Sequence, residues 1–262
     1  MPQLSAHQSA KCQKMLVLGP SGSGKTGLLG SLANADYRLF IMDFDNGLDI
    51  LLDPKVVLPE KRGNIYFKTF TDKLKDKGIP DGMPQAVPQA LNVLNAWVED
   101  GVNLGSPYSW GEKDVLVIDS LTMFGVACLR YSLAMAGRSG KQPQMQDWGE
   151  AIRIQESLVE QLYSDAVKCN VVVNAHLTFA DDTSQPGMQR AFPSALGAKL
   201  PPRIGRYFNS MVAVEKQVSG STITRVMRTQ ATFNMELKNP RPSVIPPVME
   251  PDLAKFFALL RS

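Results

Sequence analysis

Eight consecutive residues carry the clearest chemistry in the chain: Gly19-Pro20-Ser21-Gly22-Ser23-Gly24-Lys25-Thr26. Glycines at this spacing let successive backbone N–H groups turn inward around a phosphate, and Gly19, Gly22 and Gly24 serve that geometry. A lysine after the last glycine reaches the β- and γ-phosphate oxygens of a nucleotide, and the next hydroxyl ligates Mg²⁺. Position therefore assigns the phosphates to Lys25 and the metal to Thr26, with all eight residues forming the binding loop.

Carboxylates recur where a metal or a water would need them. Asp119 closes the apolar run Val115–Ile118, and a carboxylate at the end of a buried strand can hold a Mg²⁺ water. Ser120, next along, is placed to cap a following helix. Asp43 and Asp45 follow the run Arg38–Met42 and offer a group to orient an attacking water. Asn174 and His176 follow Val171–Val173 in the same manner.

These residues need a scaffold that brings strand ends together. Short apolar runs alternate with longer helical patterns, the pattern of a parallel sheet covered by helices on both faces. Met15–Leu18 enters the glycine loop and a leucine-rich helix, Lys25–Ala33, leaves it. Further strands are expected at Arg38–Met42, Ile65–Phe67, Val115–Ile118 and Val171–Val173. Helices are expected at Gln85–Glu99, Leu121–Ala136 and Trp148–Lys168. Two polar segments rich in Gly and Pro, Gly137–Gln144 and Ala180–Ala195, read as surface loops. Met211–Glu215, Ile223–Met227 and Thr232–Leu237, with a Ser219-Gly220 turn, read as an antiparallel C-terminal region. The expected organisation is a polar arm over 1–13, a core over 14–238, and a proline-rich connector with a last helix over 239–262.

Composition narrows the setting. A net charge of +3 and a pI of about 8.7 give a mildly basic surface that does not by itself indicate nucleic acid. Cys12, Cys128 and Cys169 are widely spaced, and with only His7 and His176 they form no structural zinc pattern. No run approaches the roughly 18 apolar residues of a membrane span, and the first thirteen residues lack a secretory core. A cytoplasmic protein with no membrane partner is expected.

The segment Leu39-Phe40-Ile41-Met42-Asp43-Phe44-Asp45-Asn46-Gly47-Leu48-Asp49 resembles the part of RecA-type recombinases that carries their catalytic glutamate. Asp45 falls on that glutamate and is one methylene shorter. The likeness continues in order through Asp119-Ser120, the two polar segments, Asn174-Ala175-His176 and the antiparallel region. It is strongest to the short RecA-core ATPases of bacteriophages, which include single-strand annealing recombinases. This resemblance implies a RecA-like P-loop core that uses ATP with Mg²⁺ and is stimulated by single-stranded DNA. It implies Asp45 as the base, and His176 or Asn174 as a γ-phosphate sensor. It also implies self-association into a ring or filament, with Lys238 and Arg241 reaching a neighbour's nucleotide. Single-stranded DNA would meet the two loops, where Arg138, Lys141 and Arg190 lie, with Lys199, Arg203 and Arg206 beyond. The resemblance also allows a phage single-strand-binding protein as a further partner.

Two other classes share the loop. A nucleotide or small-molecule kinase transfers the same phosphoryl group, though no Arg-rich lid is evident. A nucleotide-gated assembly or loader protein would bind ATP without significant turnover.

Overall fold

In the computed structural model, which describes residues 11–75, 78–181, 187–220 and 222–262, strand β1 (Lys14–Leu18) is buried along its whole length. Its residues split between two cores: Leu16 and Leu18 face one layer of helices, Met15 and Val17 the other. A strand covered on both faces reads as a continuous apolar run, and so do its neighbours. The loop after β1 leads into two short helices, α1 (Lys25–Leu28) and α2 (Gly30–Asn34), joined at Leu29. The single helix expected over Lys25–Ala33 is thus broken. A Cβ at Gly30 would stand 2.5 Å from the Val56 carbonyl oxygen, so the chain 26 residues on packs directly against this helix.

Strands β2 (Arg38–Asp43) and β3 (Ile65–Thr69) follow. Helix α3 (Ala86–Val93) is shorter than the expected Gln85–Glu99. Its tail instead forms a small hairpin, β4 (Val98–Glu99) with β5 (Val102–Asn103). Asp100 and Gly101 both take positive φ, 48° and 78°, the turn an Asp-Gly pair between strand residues favours.

Strand β6 (Asp114–Asp119) feeds α4 (Leu121–Met135), and α5 (Met145–Tyr163) returns to β7 (Asn170–Ala175). Ser120 caps α4 by accepting from the Met123 N–H. The hairpin β8 (Leu177–Asp181) and β9 (Gln189–Pro193) occupies most of the expected second loop, of which 182–186 lie outside the described residues. A short helix, α6 (Pro201–Ile204), precedes β10 (Ser210–Ser219) and β11 (Thr222–Arg228).

Among the described residues the main sheet has 8 strands in the order β12-β11-β10-β1-β7-β6-β2-β3, where β12 is Val248–Met249. From β10 to β3 all neighbours are parallel; β11 and β12 add antiparallel. Thr232–Leu237 is not the expected strand. Within it only Met235 makes a bridge, to Ala191, and Lys238 just after it bridges to Met211. The proline-rich segment is no loose tether: it contributes β12, and α7 (Leu253–Arg261) docks on α2 through the Leu253 N–H to Ser31 Oγ bond of 2.9 Å.

Candidate nucleotide site

Sheet order decides what meets at the C-terminal edge. Strand β7 lies between the loop strand β1 and the Asp119 strand β6, with β2 beyond. Cross-strand register sets the polar residues in a row: Asn174 beside Asp119, Asp119 beside Asp43, Asp43 beside Thr69. The glycine loop folds over one end of this row. Gly22 and Gly24 take φ of 68° and 108°, conformations a side chain would oppose. At Gly19 a Cβ would stand 2.7 Å from the Val214 carbonyl oxygen on β10.

Lys25 turns its ammonium back into the loop, donating to the carbonyls of Gly19 (2.9 Å) and Pro20 (3.0 Å), and lies 3.4 Å from His176 Nδ1. Burial lowers its pKa, opposed by the charges of Asp119 and Asp45. The Thr26 hydroxyl donates to Asp119 Oδ2 at 2.7 Å. Burial pushes the Asp119 carboxyl up to about 6; Thr26 and Asn174 pull it down, while the Asp45 and Asp43 charges push it up. Asn174 makes no well-aligned hydrogen bond through either amide atom among the described residues.

The two carboxylates after β2 are separated by the structure. Asp43 is buried and holds its own turn, accepting from the Asn46 N–H (2.8 Å), the Asp45 N–H (3.2 Å) and the Thr69 hydroxyl (3.2 Å). Asp45 instead faces the site. Its Oδ1 accepts from the Ser120 hydroxyl (2.7 Å) and N–H (3.1 Å), and Oδ2 lies 3.6 Å from His176 Nε2. His176 therefore stands between Lys25 and Asp45, with its pKa lowered by burial first and the Lys25 charge second. Its backbone is tied to the second polar segment: His176 N–H to Thr122 Oγ1, Thr122 Oγ1 to the Ser194 carbonyl, and Ser194 N–H to the His176 carbonyl.

The donor set fits the groups the loop implies. Thr26 and Asp119 offer hard oxygen ligands side by side, as Mg²⁺ requires with phosphate oxygens completing its shell. Ser23 Oγ is fully buried without a partner among the described residues, a polar atom inside the cradle that a ligand would satisfy.

The other residues singled out from sequence lie away from this row. Arg138 pairs with Asp147 at the start of α5, Arg190 with Glu236 (3.1 Å), and Arg203 and Arg206 with Glu156 (2.9 and 3.1 Å). Lys141 and Lys199 are exposed. Lys238 and Arg241, expected to reach a neighbour, are engaged within the chain. Lys238 Nζ donates to the Gly205 (2.7 Å) and Phe208 (3.2 Å) carbonyls, and Arg241 to the Leu259 (3.4 Å) and Leu260 (3.2 Å) carbonyls at the end of α7.

Two cations not anticipated from sequence, Lys216 and Arg225, lie over the glycine loop. No local motif marks them; strand register alone brings them there.

A glycine loop, a distal acid on the next strand but one and a polar strand end between them define a nucleotide-binding P-loop ATPase fold of the RecA type. A model of the AAA domain family matches residues 11–241, and the chain belongs to that family. No curated protein matches the chain. Among solved structures it is similar to an ATPase from the type III secretion system of pathogenic bacteria, at 13% identity and a TM-score of 0.45, with 81% of this chain and 56% of that one covered. The chain thus spans a little over half of that ATPase. It is similar also to the flagellar accessory protein FlaH of Methanocaldococcus jannaschii (12% identity, TM-score 0.43, 90% and 83% covered). A KaiC-like protein of Pyrococcus horikoshii OT3 gives 12% identity, a TM-score of 0.42 and coverage of 87% and 81%. No helix among the described residues is long and apolar enough to cross a membrane.

Proposed function

We propose that the protein hydrolyses ATP at the C-terminal edge of its sheet and couples that cycle to single-stranded DNA, in phage strand annealing or recombination. The observation that carries the hydrolytic part is the continuous set Lys25, His176, Asp45 and Ser120, alongside the Thr26–Asp119 pair.

In this reading the loop N–H groups and Lys25 hold the β- and γ-phosphates, and Thr26 and Asp119 hold the metal. Mg²⁺, when bound, neutralises charge developing on the phosphoryl oxygens. Asp45 accepts a proton from the attacking water; its short side chain is steadied by two hydrogen bonds from Ser120. Burial and the Lys25 charge lower the His176 pKa and so favour the neutral ring, and it contacts the γ-phosphate as a hydrogen-bonding group. Its ties to Thr122 and Ser194 carry the nucleotide state toward the β8–β9 hairpin.

The DNA part rests on the RecA-type resemblance and on the exposed Lys141 and Lys199. Arg138, Arg190, Arg203 and Arg206 have acidic partners that a phosphate backbone would have to displace. Measuring ATP hydrolysis with and without single-stranded DNA tests both parts. A rate raised several-fold by DNA supports the coupling. An unchanged rate, together with no DNA binding in a mobility assay, leaves an ATPase and removes the recombination reading.

A further inference from the structure

We infer that Lys216 and Arg225 bind the phosphates of a nucleotide held on this chain's own glycine loop, so that the β10–β11 hairpin closes the site in cis. The inference rests on the nucleotide-binding reading of Gly19–Thr26.

Strand lengths place the hairpin. The end of β1, Leu18, pairs with Ala213, but β10 continues to Ser219 with β11 beside it. These extra residues overhang the sheet edge by roughly 20 Å at the usual rise per residue. Lys216 and Arg225 lie directly opposite each other on this overhang, and side chains alternate between its faces.

Contacts show which face they occupy. Lys216 Nζ lies 3.5 Å from where a Gly22 Cβ would stand, and Arg225 Cδ and Nε lie 2.9 and 3.1 Å from a Gly24 Cβ. Only the missing side chains let the two cations come this near the loop backbone. Arg225 also lines a cavity of about 330 Å³ that runs from Gly24 past Gly27 and Ser31 to Pro251.

Charge then distinguishes the two faces of the hairpin. Away from the loop, Arg228 is matched by Glu215 through two bonds of 2.9 and 3.0 Å. Toward the loop, two cations face each other across the strands, and neither has an ion pair among the described residues. Like charges directly opposite in a sheet repel. An anion between them and the loop converts that repulsion into two charge-assisted hydrogen-bonding contacts. Lys25 donates to the carbonyl of Gly19 in the same loop, so three cations approach the backbone of that loop.

The test compares full-length wild type, Lys216→Gln, Arg225→Gln, the double variant, Arg225→Lys and Lys25→Ala. Binding of Mg-ATP and of adenosine is measured by calorimetry, and unfolding midpoints are recorded without ligand. The expected result is a loss of ATP affinity of about 30-fold in the double variant and less in each single. Arg225→Lys keeps most of the affinity, and adenosine binding is unchanged throughout. Without ligand, Lys216→Gln and Arg225→Gln unfold at or above the wild-type midpoint, because a repulsion is removed.

An ATP affinity in the double variant within about twofold of wild type, while Lys25→Ala loses binding, overturns this inference and leaves the loop's role intact. Lowered unfolding midpoints with equal losses for ATP and adenosine also overturn it, since they mark a structural role. Failure of wild type to bind ATP at all removes the nucleotide reading and this inference together.

Discussion

Two lysines bracket the first strand, and two asparagines bracket its neighbour. Lys14 begins β1 and Lys25 follows its loop; Asn170 begins β7 and Asn174 lies near its end. At the N-terminal edge Lys14 and Asn170 close on the protein. Lys14 Nζ donates to the Val167 (2.9 Å) and Cys169 (3.0 Å) carbonyls. Asn170 accepts from the Gln13 N–H and Arg261, and donates to the Glu112 and Asp114 carbonyls. At the C-terminal edge Asn174 makes no well-aligned hydrogen bond and Ser23 Oγ has no partner among the described residues, and Lys25 sits among Asp45, Asp119 and His176. Burial depresses both lysines; what differs is that Asn170 is fully hydrogen-bonded while Asn174 is not. The closed edge is architecture, and the open edge is built for a ligand.

Changes at the open edge should cost turnover, and changes at the closed edge should cost stability. The largest effect falls on Asp45. Asp45→Asn keeps the Ser120 contacts but cannot take a proton, so turnover should fall about 10²- to 10³-fold while ATP affinity changes little. Steady-state kinetics with a binding isotherm check this.

Next is the pH dependence of Lys14. Burial brings its pKa to about 8, from an ordinary 10.5, a penalty of about 3 kcal/mol for the charged form. Between those values the unfolded chain keeps the proton that the folded chain has released, so stability rises with pH. Denaturant titrations from pH 7.5 to 10.5 should show wild type gaining up to about 3 kcal/mol relative to Lys14→Met.

The asparagines extend the contrast at smaller magnitude. Asn170→Val strands several backbone groups and should lower stability by about 1–3 kcal/mol, without loss of turnover beyond about twofold. Asn174→Val removes an amide with no aligned partner and should leave stability within about 1 kcal/mol of wild type, while turnover falls several-fold. A reversal of these two outcomes would break the comparison.

How much of this was legible in sequence depends on how local each feature is. The glycine loop is self-contained, and the apolar runs ending in Asp119 and Asp45 announce buried strands with polar ends. The alternation in Thr232–Leu237 looks like a strand, yet the segment and the lysine after it make only isolated bridges, to Ala191 and Met211. The Asp100-Gly101 turn is readable, but its first strand, Val98–Glu99, lies in the tail of a helical pattern. Lys216 and Arg225 were invisible because their meeting with Gly22 and Gly24 depends on how far β10 outruns β1. The ties of Lys238 and Arg241 are likewise long-range, set by where α7 and the turn at Gly205 come to rest.

The most direct test of the account is Mg-ATP hydrolysis by wild type, Lys25→Met and Lys14→Met, with unfolding midpoints measured alongside. The account predicts that Lys25→Met loses about 10³-fold in turnover with stability equal to or above wild type. Lys14→Met should keep turnover within about twofold. Full turnover in Lys25→Met, or equal losses in both variants, would contradict the assignment of the C-terminal edge as the ATPase site.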